Sequence, residues 1–207
     1  MNKVYTLGFL LLTVLTTNAQ EFGGNPPSLK WRQINTDTVR IIFPAGKDSA
    51  AQRVAALVHA MAALPPVPLG PSLKKINIVL QNQTTVPNGY VNLGPYRSEF
   101  FLTPDPDNHS QGSISWLDQL AIHEYRHVQQ FNNFDHGLSS LLKVLSGEEG
   151  YTLAINAAIP DWFYEGDAVY NETVLSKQGR GRLPHFMNAY PALLQAGKNY
   201  SWMKLRN

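Results

Sequence analysis

The segments AIHEYRHVQQF (residues 121–131) and PDWFYEGDAVYNE (residues 160–172) decide how the chain is read. In the first, Leu117, Leu120, Ala121, Val128 and Phe131 recur at helical spacing and predict a buried stripe. At about 100° per residue Glu124 falls inside that stripe, with His123 and His127 along one edge. Two histidines four apart on a helix project from one face and can grip one ion, and the glutamate between them reaches a water on that ion. A buried carboxylate without a partner is costly, so the apolar surroundings of Glu124 favour a site over a solvated charged turn. Ser113 and Ser115 stand ready to cap the helix start, which puts the histidines in its firmly held middle.

A catalytic zinc takes three protein ligands plus water, and a chain with no cysteine must supply them from His, Asp or Glu. The second segment offers the third. Pro160 or Asp161 opens a helix in which Trp162, Glu165, Val169 and Glu172 share one face. A carboxylate on an apolar face needs a cation, so Glu165 is the candidate, whereas Asp167, about 160° around the helix, reads as an ordinary exposed acid.

His123-Glu124-x-x-His127 followed by Trp162-Phe163-x-Glu165-Gly166-x-Ala168 resembles the gluzincin zinc metallopeptidases, the thermolysin-like and aminopeptidase-like clan, and especially their secreted bacterial members. The resemblance spans about residues 113–175 and, more loosely, the strands before them. It implies one Zn2+ per chain, with His123, His127 and Glu165 as ligands and Glu124 as general base. It also implies that Glu172 orients a ligand histidine, that Gly166 lets two helices approach closely, and that an edge strand, with residues 97–103 as its analogue, takes up extended peptide. In such enzymes a Tyr or His downstream of the third ligand stabilises the oxyanion. Tyr190, His185 and Tyr200 are candidates, and the sequence does not choose among them. The interval between His127 and Glu165 departs from the most compact gluzincins by holding a helical insertion, GLSSLLKVLSGEEGYTLAINAAI.

Outward from the motifs, residues 31–43 read as one strand, 48–64 as an amphipathic helix, and 75–81, 89–93 and 97–104 as further strands. Residues 113–133, 137–146, 161–176 and 186–196 carry helical periodicity. Strands first and helices after predict an α+β fold: a mostly antiparallel sheet with one helix, then a zincin-like helical half. Residues 1–20 combine one lysine, an uncharged apolar run and small or polar residues at the end, which predicts a secretory signal peptide and a secreted or periplasmic protein with no stable membrane anchor. Residues 21–30 (EFGGNPPSLK) read as a flexible lead-in, and 31–207 as a single domain that continues in a longer parent protein. His59, His109 and His136 have no partners nearby in sequence and read as incidental.

Seventeen basic against fifteen acidic residues, scattered singly, argue against a nucleic-acid partner. The expectation is a secreted zinc peptidase acting on peptide or protein. Two alternatives share its residues: a non-catalytic metal-binding or scaffolding module of a larger protein, and a zinc hydrolase of non-peptide amides or esters.

Overall fold

The computed structural model describes residues 24–64, 69–107, 112–201 and 204, so the expected signal peptide and His109 lie outside the described residues. The fold is α+β, a five-stranded sheet in the first half followed by helices. The stretch expected as one strand is a hairpin, β1 (Trp31–Asn35) and β2 (Val39–Pro44). Thr36 closes its turn: its hydroxyl donates to Val39 O at 3.0 Å and accepts from Val39 N at 3.2 Å. Helix α1 (Asp48–Ala62) then crosses over to β3 (Ile76–Gln81), and β4 (Gly89–Leu93) and β5 (Tyr96–Phe101) follow.

The sheet order is β1-β2-β3-β5-β4. Pairs β1/β2 and β4/β5 are antiparallel, but β2/β3 and β3/β5 are parallel, so the sheet is mixed rather than mostly antiparallel. The helical crossover through α1 makes the first parallel pair, since a helix returns the chain to its starting end. The second arises because β5 slots between β3 and β4. That placement corrects the edge-strand expectation as well: β5, which holds Arg97–Phe101, is paired on both sides, and β4 is the edge.

Alternation along β2, β3 and β5 turns Val39, Ile41, Phe43, Ile76, Ile78, Leu80 and Phe100 to one face. Against it pack Val54, Val58 and Met61 of α1 and Leu120, Ala121, Tyr125 and Val128 of α2 (Trp116–Asn133). Ser115 caps α2 by accepting from Asp118 N at 3.3 Å, and Arg53 of α1 grips Asp118 through two bonds of 2.9 and 2.8 Å. The Trp116 indole donates to Phe101 O at 2.8 Å, tying α2 to the sheet.

The insertion forms α3 (Leu138–Ala158), longer than the segment the periodicity marked and kinked at Ser146 and Gly147, where Gly147 takes φ +66°. Its second half docks through Tyr151 and Ile155 onto Leu93, Tyr96, Phe131 and Phe134. Helix α4 (Asp161–Leu175) packs on α2, a short 3-10 turn spans Arg180–Arg182, and α5 (Ala189–Gln195) follows. The buried residues of α4 are Tyr164, Ala168, Asn171 and Glu172; of the expected face of Trp162, Glu165, Val169 and Glu172, the last is buried, while Trp162 and Glu165 are exposed and Val169 is half-buried. Gly166 is no close-packing point either, for an added Cβ there meets nothing within 4 Å. No helix among the described residues is long and apolar enough to cross a membrane.

Candidate metal centre

Helix α2 carries His123, Glu124 and His127 into the floor of a cleft of about 540 Å³. The intervening residues explain why the helix is held so firmly there. Tyr125 is 1% exposed in the core, and the Arg126 guanidinium makes two bonds, 2.7 and 3.0 Å, to Asp167 of α4. Helix α4, fixed this way, brings Glu165 over the histidines from the solvent side, its side chain 63% exposed.

The three donor groups converge. His123 Nε2 lies 3.1 Å from His127 Nε2 and 3.2 Å from Glu165 Oε2, and His127 Nε2 lies 3.6 Å from Glu165 Oε1. Tetrahedral zinc with bonds of about 2.0–2.1 Å separates its ligands by about 3.3–3.4 Å, so these spacings fit the ion. Hydrogen bonding points the same way. His123 Nδ1 faces the Glu172 carboxylate at 2.5 Å and His127 Nδ1 faces Gln130 Oε1 at 2.9 Å, so both outer nitrogens have acceptors. With their protons there, two Nε2 lone pairs and a carboxylate point at one spot, an arrangement that asks for a cation.

In the metal-free chain, protons answer that demand. Burial opposes a charge on His123, but hydrogen bonds to Glu165 and Glu172 outweigh it and raise its pKa to about 9. His127 is lowered, by burial and by the charge on His123. Glu124, 5% exposed, is pushed up to about 7 by burial, which the nearby His123 only partly offsets. Glu165 is lowered by its hydrogen bond with His123.

Glu172 is fully buried, and burial would raise it, yet bonds from His123 and Arg180 hold it below the ordinary carboxylate range. Arg180 Nε donates to Glu172 Oε2 at 3.0 Å and Nη2 to Oε1 at 2.5 Å. The sequence reading missed Arg180. Its signal was available, because a buried carboxylate at Glu172 requires a cation and the arginine follows just after the helix ends. Gly179 permits the turn: a Cβ there would lie 2.6 Å from the Glu172 carbonyl.

Asp167 corrects a second expectation. It is no idle surface acid, because it binds Arg126 and accepts from Gln130 Nε2 at 2.8 Å, one link from His127. His185, Tyr190 and Tyr200 are exposed and do not line the cleft, so the structure does not bring the sequence's oxyanion candidates to the site. Among the described residues downstream of α4, Arg180 is the one that lines the cleft.

Strand β4 forms the opposite wall through Gly89, Tyr90 and Val91. A Cβ on Gly89 would lie 2.6 Å from Leu120 Cδ2 and 3.0 Å from Glu124 Oε1, so glycine lets the edge strand come down against the glutamate. No family model, curated protein or solved structure matches this chain.

Proposed function

We propose that the chain is a zinc-dependent peptidase domain working outside the cytoplasm on extended peptide. The observation that carries this reading is the meeting of His123 Nε2, His127 Nε2 and the Glu165 carboxylate at 3.1–3.6 Å beside the buried Glu124 carboxyl in an open cleft. His123, His127 and Glu165 would hold the ion. When bound, zinc supplies a Lewis acid and lowers the pKa of its water toward about 7.

The rest is work for the chain's own residues. Glu124 Oε takes a proton from the attacking water and returns it to the leaving nitrogen. Tyr125 and Arg126 of α2 keep that carboxylate from drifting, the first by packing in the core and the second by its ion pair with Asp167 of α4. The free edge of β4 favours peptide over a small ester, because an extended chain adds to an unpaired strand by main-chain hydrogen bonds. Gly89 sets that strand against Glu124. The lysine and the uncharged apolar run that follows it within residues 1–20 support export.

Metal analysis of the purified chain, together with digestion of an unbiased peptide library, tests the proposal. The expected result is about one zinc per chain and cleavage that falls by roughly 10²-fold or more in Glu124→Gln, with zinc content and fold retained. A zinc-loaded wild type that leaves peptides intact but hydrolyses simple amides or esters would establish the non-peptide hydrolase. One inert toward all of them would establish the binding module.

A further inference from the structure

His123 and His127 are braced differently. Behind His123 stands a carboxylate, Glu172, neutralised by Arg180. Behind His127 stands a neutral amide, Gln130, itself fully buried. An amide offers an acceptor at one end and two donors at the other, so its orientation decides what its neighbour must be.

For Gln130 that orientation is forced. Its Nε2 donates to Tyr164 O at 3.1 Å and to Asp167 Oδ2 at 2.8 Å. A backbone carbonyl can only accept. Asp167 likewise accepts, because Arg126, whose side chain is 5% exposed, holds it in a two-bond ion pair at 2.7 and 3.0 Å. Turning the amide over would set its oxygen against both acceptors in a buried site. Oε1 therefore faces His127, and the nitrogen 2.9 Å away must carry a proton.

We propose that Gln130, locked by Asp167 and Arg126, is a positioning residue that fixes the Nδ1–H tautomer of His127 and so keeps its Nε2 lone pair turned toward the metal. This rests on the zinc reading above. The same amide does a second job. Tyr164 and Asp167 flank Glu165 in sequence, so the two bonds from Gln130 also pin α4 on either side of the third ligand. One buried side chain thus coordinates the orientation of a ligand on α2 with the placement of a ligand on α4. Glu172 and Asp167 are each held in an ion pair, with Arg180 and with Arg126.

The test uses the full chain with 15N-labelled histidine. Long-range proton–nitrogen correlation on metal-free wild type at pH 8, where His127 is neutral, should show the Nδ1–H pattern for His127. Gln130→Met, similar in length but without the amide, should give mixed tautomers and weaken zinc binding by about 10- to 100-fold, with altered visible bands when the protein is loaded with cobalt instead. Asp167→Asn, a milder change that removes the anionic acceptor, should shift the tautomer balance in the same direction. A wild-type His127 carrying its proton on Nε2 overturns the proposal without need of any variant. So does a Gln130→Met protein with unchanged tautomer and unchanged zinc affinity. A wild type that shows the Nδ1–H pattern but binds no zinc overturns the metal reading and leaves the hydrogen-bond lock standing, so the two failures are distinguishable.

Discussion

Arg180 clasps the fully buried Glu172 through Nε at 3.0 Å and Nη2 at 2.5 Å, and that carboxylate in turn receives His123 Nδ1 at 2.5 Å. Removing Arg180 takes away two charge-assisted bonds but leaves His123, its pKa raised to about 9, beside the carboxylate, so the loss is that of bonds to a charged group, about 1.5–3 kcal/mol, rather than of a stranded charge. Arg180→Met should therefore destabilise the metal-free chain by roughly that amount in urea unfolding. The double change Arg180→Met with Glu172→Gln should recover part of the loss, since no buried carboxylate then lacks the arginine's bonds. A single-variant loss below about 1 kcal/mol would mean that solvent reaches Glu172 and that the arginine is ornamental.

Gly89 separates packing from chemistry. A side chain there collides with the flexible ends of Leu120 and Glu124 rather than with backbone, so the fold can yield while the base is displaced. Gly89→Val should lower turnover by about 10-fold or more through misplacement of Glu124, at a stability cost of about 1–3 kcal/mol. Peptide kinetics alongside thermal unfolding check it. Full activity in Gly89→Val would show that β4 does not set the position of Glu124.

The strongly periodic segments were legible in the sequence, and so was the order of strands and then helices. Pairing partners were not. A run such as residues 97–101 carries its inside-outside alternation but nothing to say that β5 inserts between β3 and β4, because that follows from the crossover through α1 and from tertiary fit. The site shows the same division. His123, Glu124 and His127 lie within one helical turn, so local geometry brings them together, and Glu165 and Glu172 could be ranked by the face they share. Gln130 and Asp167 became visible only once α4 had been laid on α2, since their roles are pairwise bonds across elements, whereas Arg180 had a signal in the need of Glu172 for a cation. Helical angle alone made Asp167 look exposed, for it cannot see the buried arginine opposite.

Acid sensitivity should report the joint between α1 and α2. The hydrogen bonds from Arg53 hold Asp118 below the ordinary carboxylate range, so the folded chain releases that proton more readily than the unfolded one. Its contribution is present above about pH 4 and disappears as pH falls through the lowered folded value. Arg53 is 56% exposed, so screening limits the effect to about 0.5–1 kcal/mol. Asp118→Asn should lower the unfolding midpoint at pH 6, and the difference from wild type should shrink as pH falls below about 4 and through the lowered folded value. A gap that persisted undiminished at pH 2 would point to lost capping rather than to charge.

Zinc itself should stabilise the fold, and the amount should sort the ligands by the role each plays in the empty chain. A metal that binds only the native state adds RT ln(1 + [Zn]/Kd), about 2.7 kcal/mol at a hundredfold excess over Kd. Wild type should show this gain in chemical unfolding, and a chelator should remove it. Glu165 is 63% exposed and touches the site rather than the core, so Glu165→Gln should leave metal-free stability within about 0.5 kcal/mol of wild type while reducing the zinc gain. His127→Ala should abolish the gain and also cost metal-free stability, because Gln130 Oε1 loses its buried partner. His123→Ala strands the hydrogen bond to Glu172 in the same way, but Arg180 remains to neutralise that carboxylate, so its metal-free cost should be the smaller of the two. If His127→Ala kept the full zinc-dependent gain, the ion would be binding elsewhere, and the cluster of His123, His127 and Glu165 would not be its site.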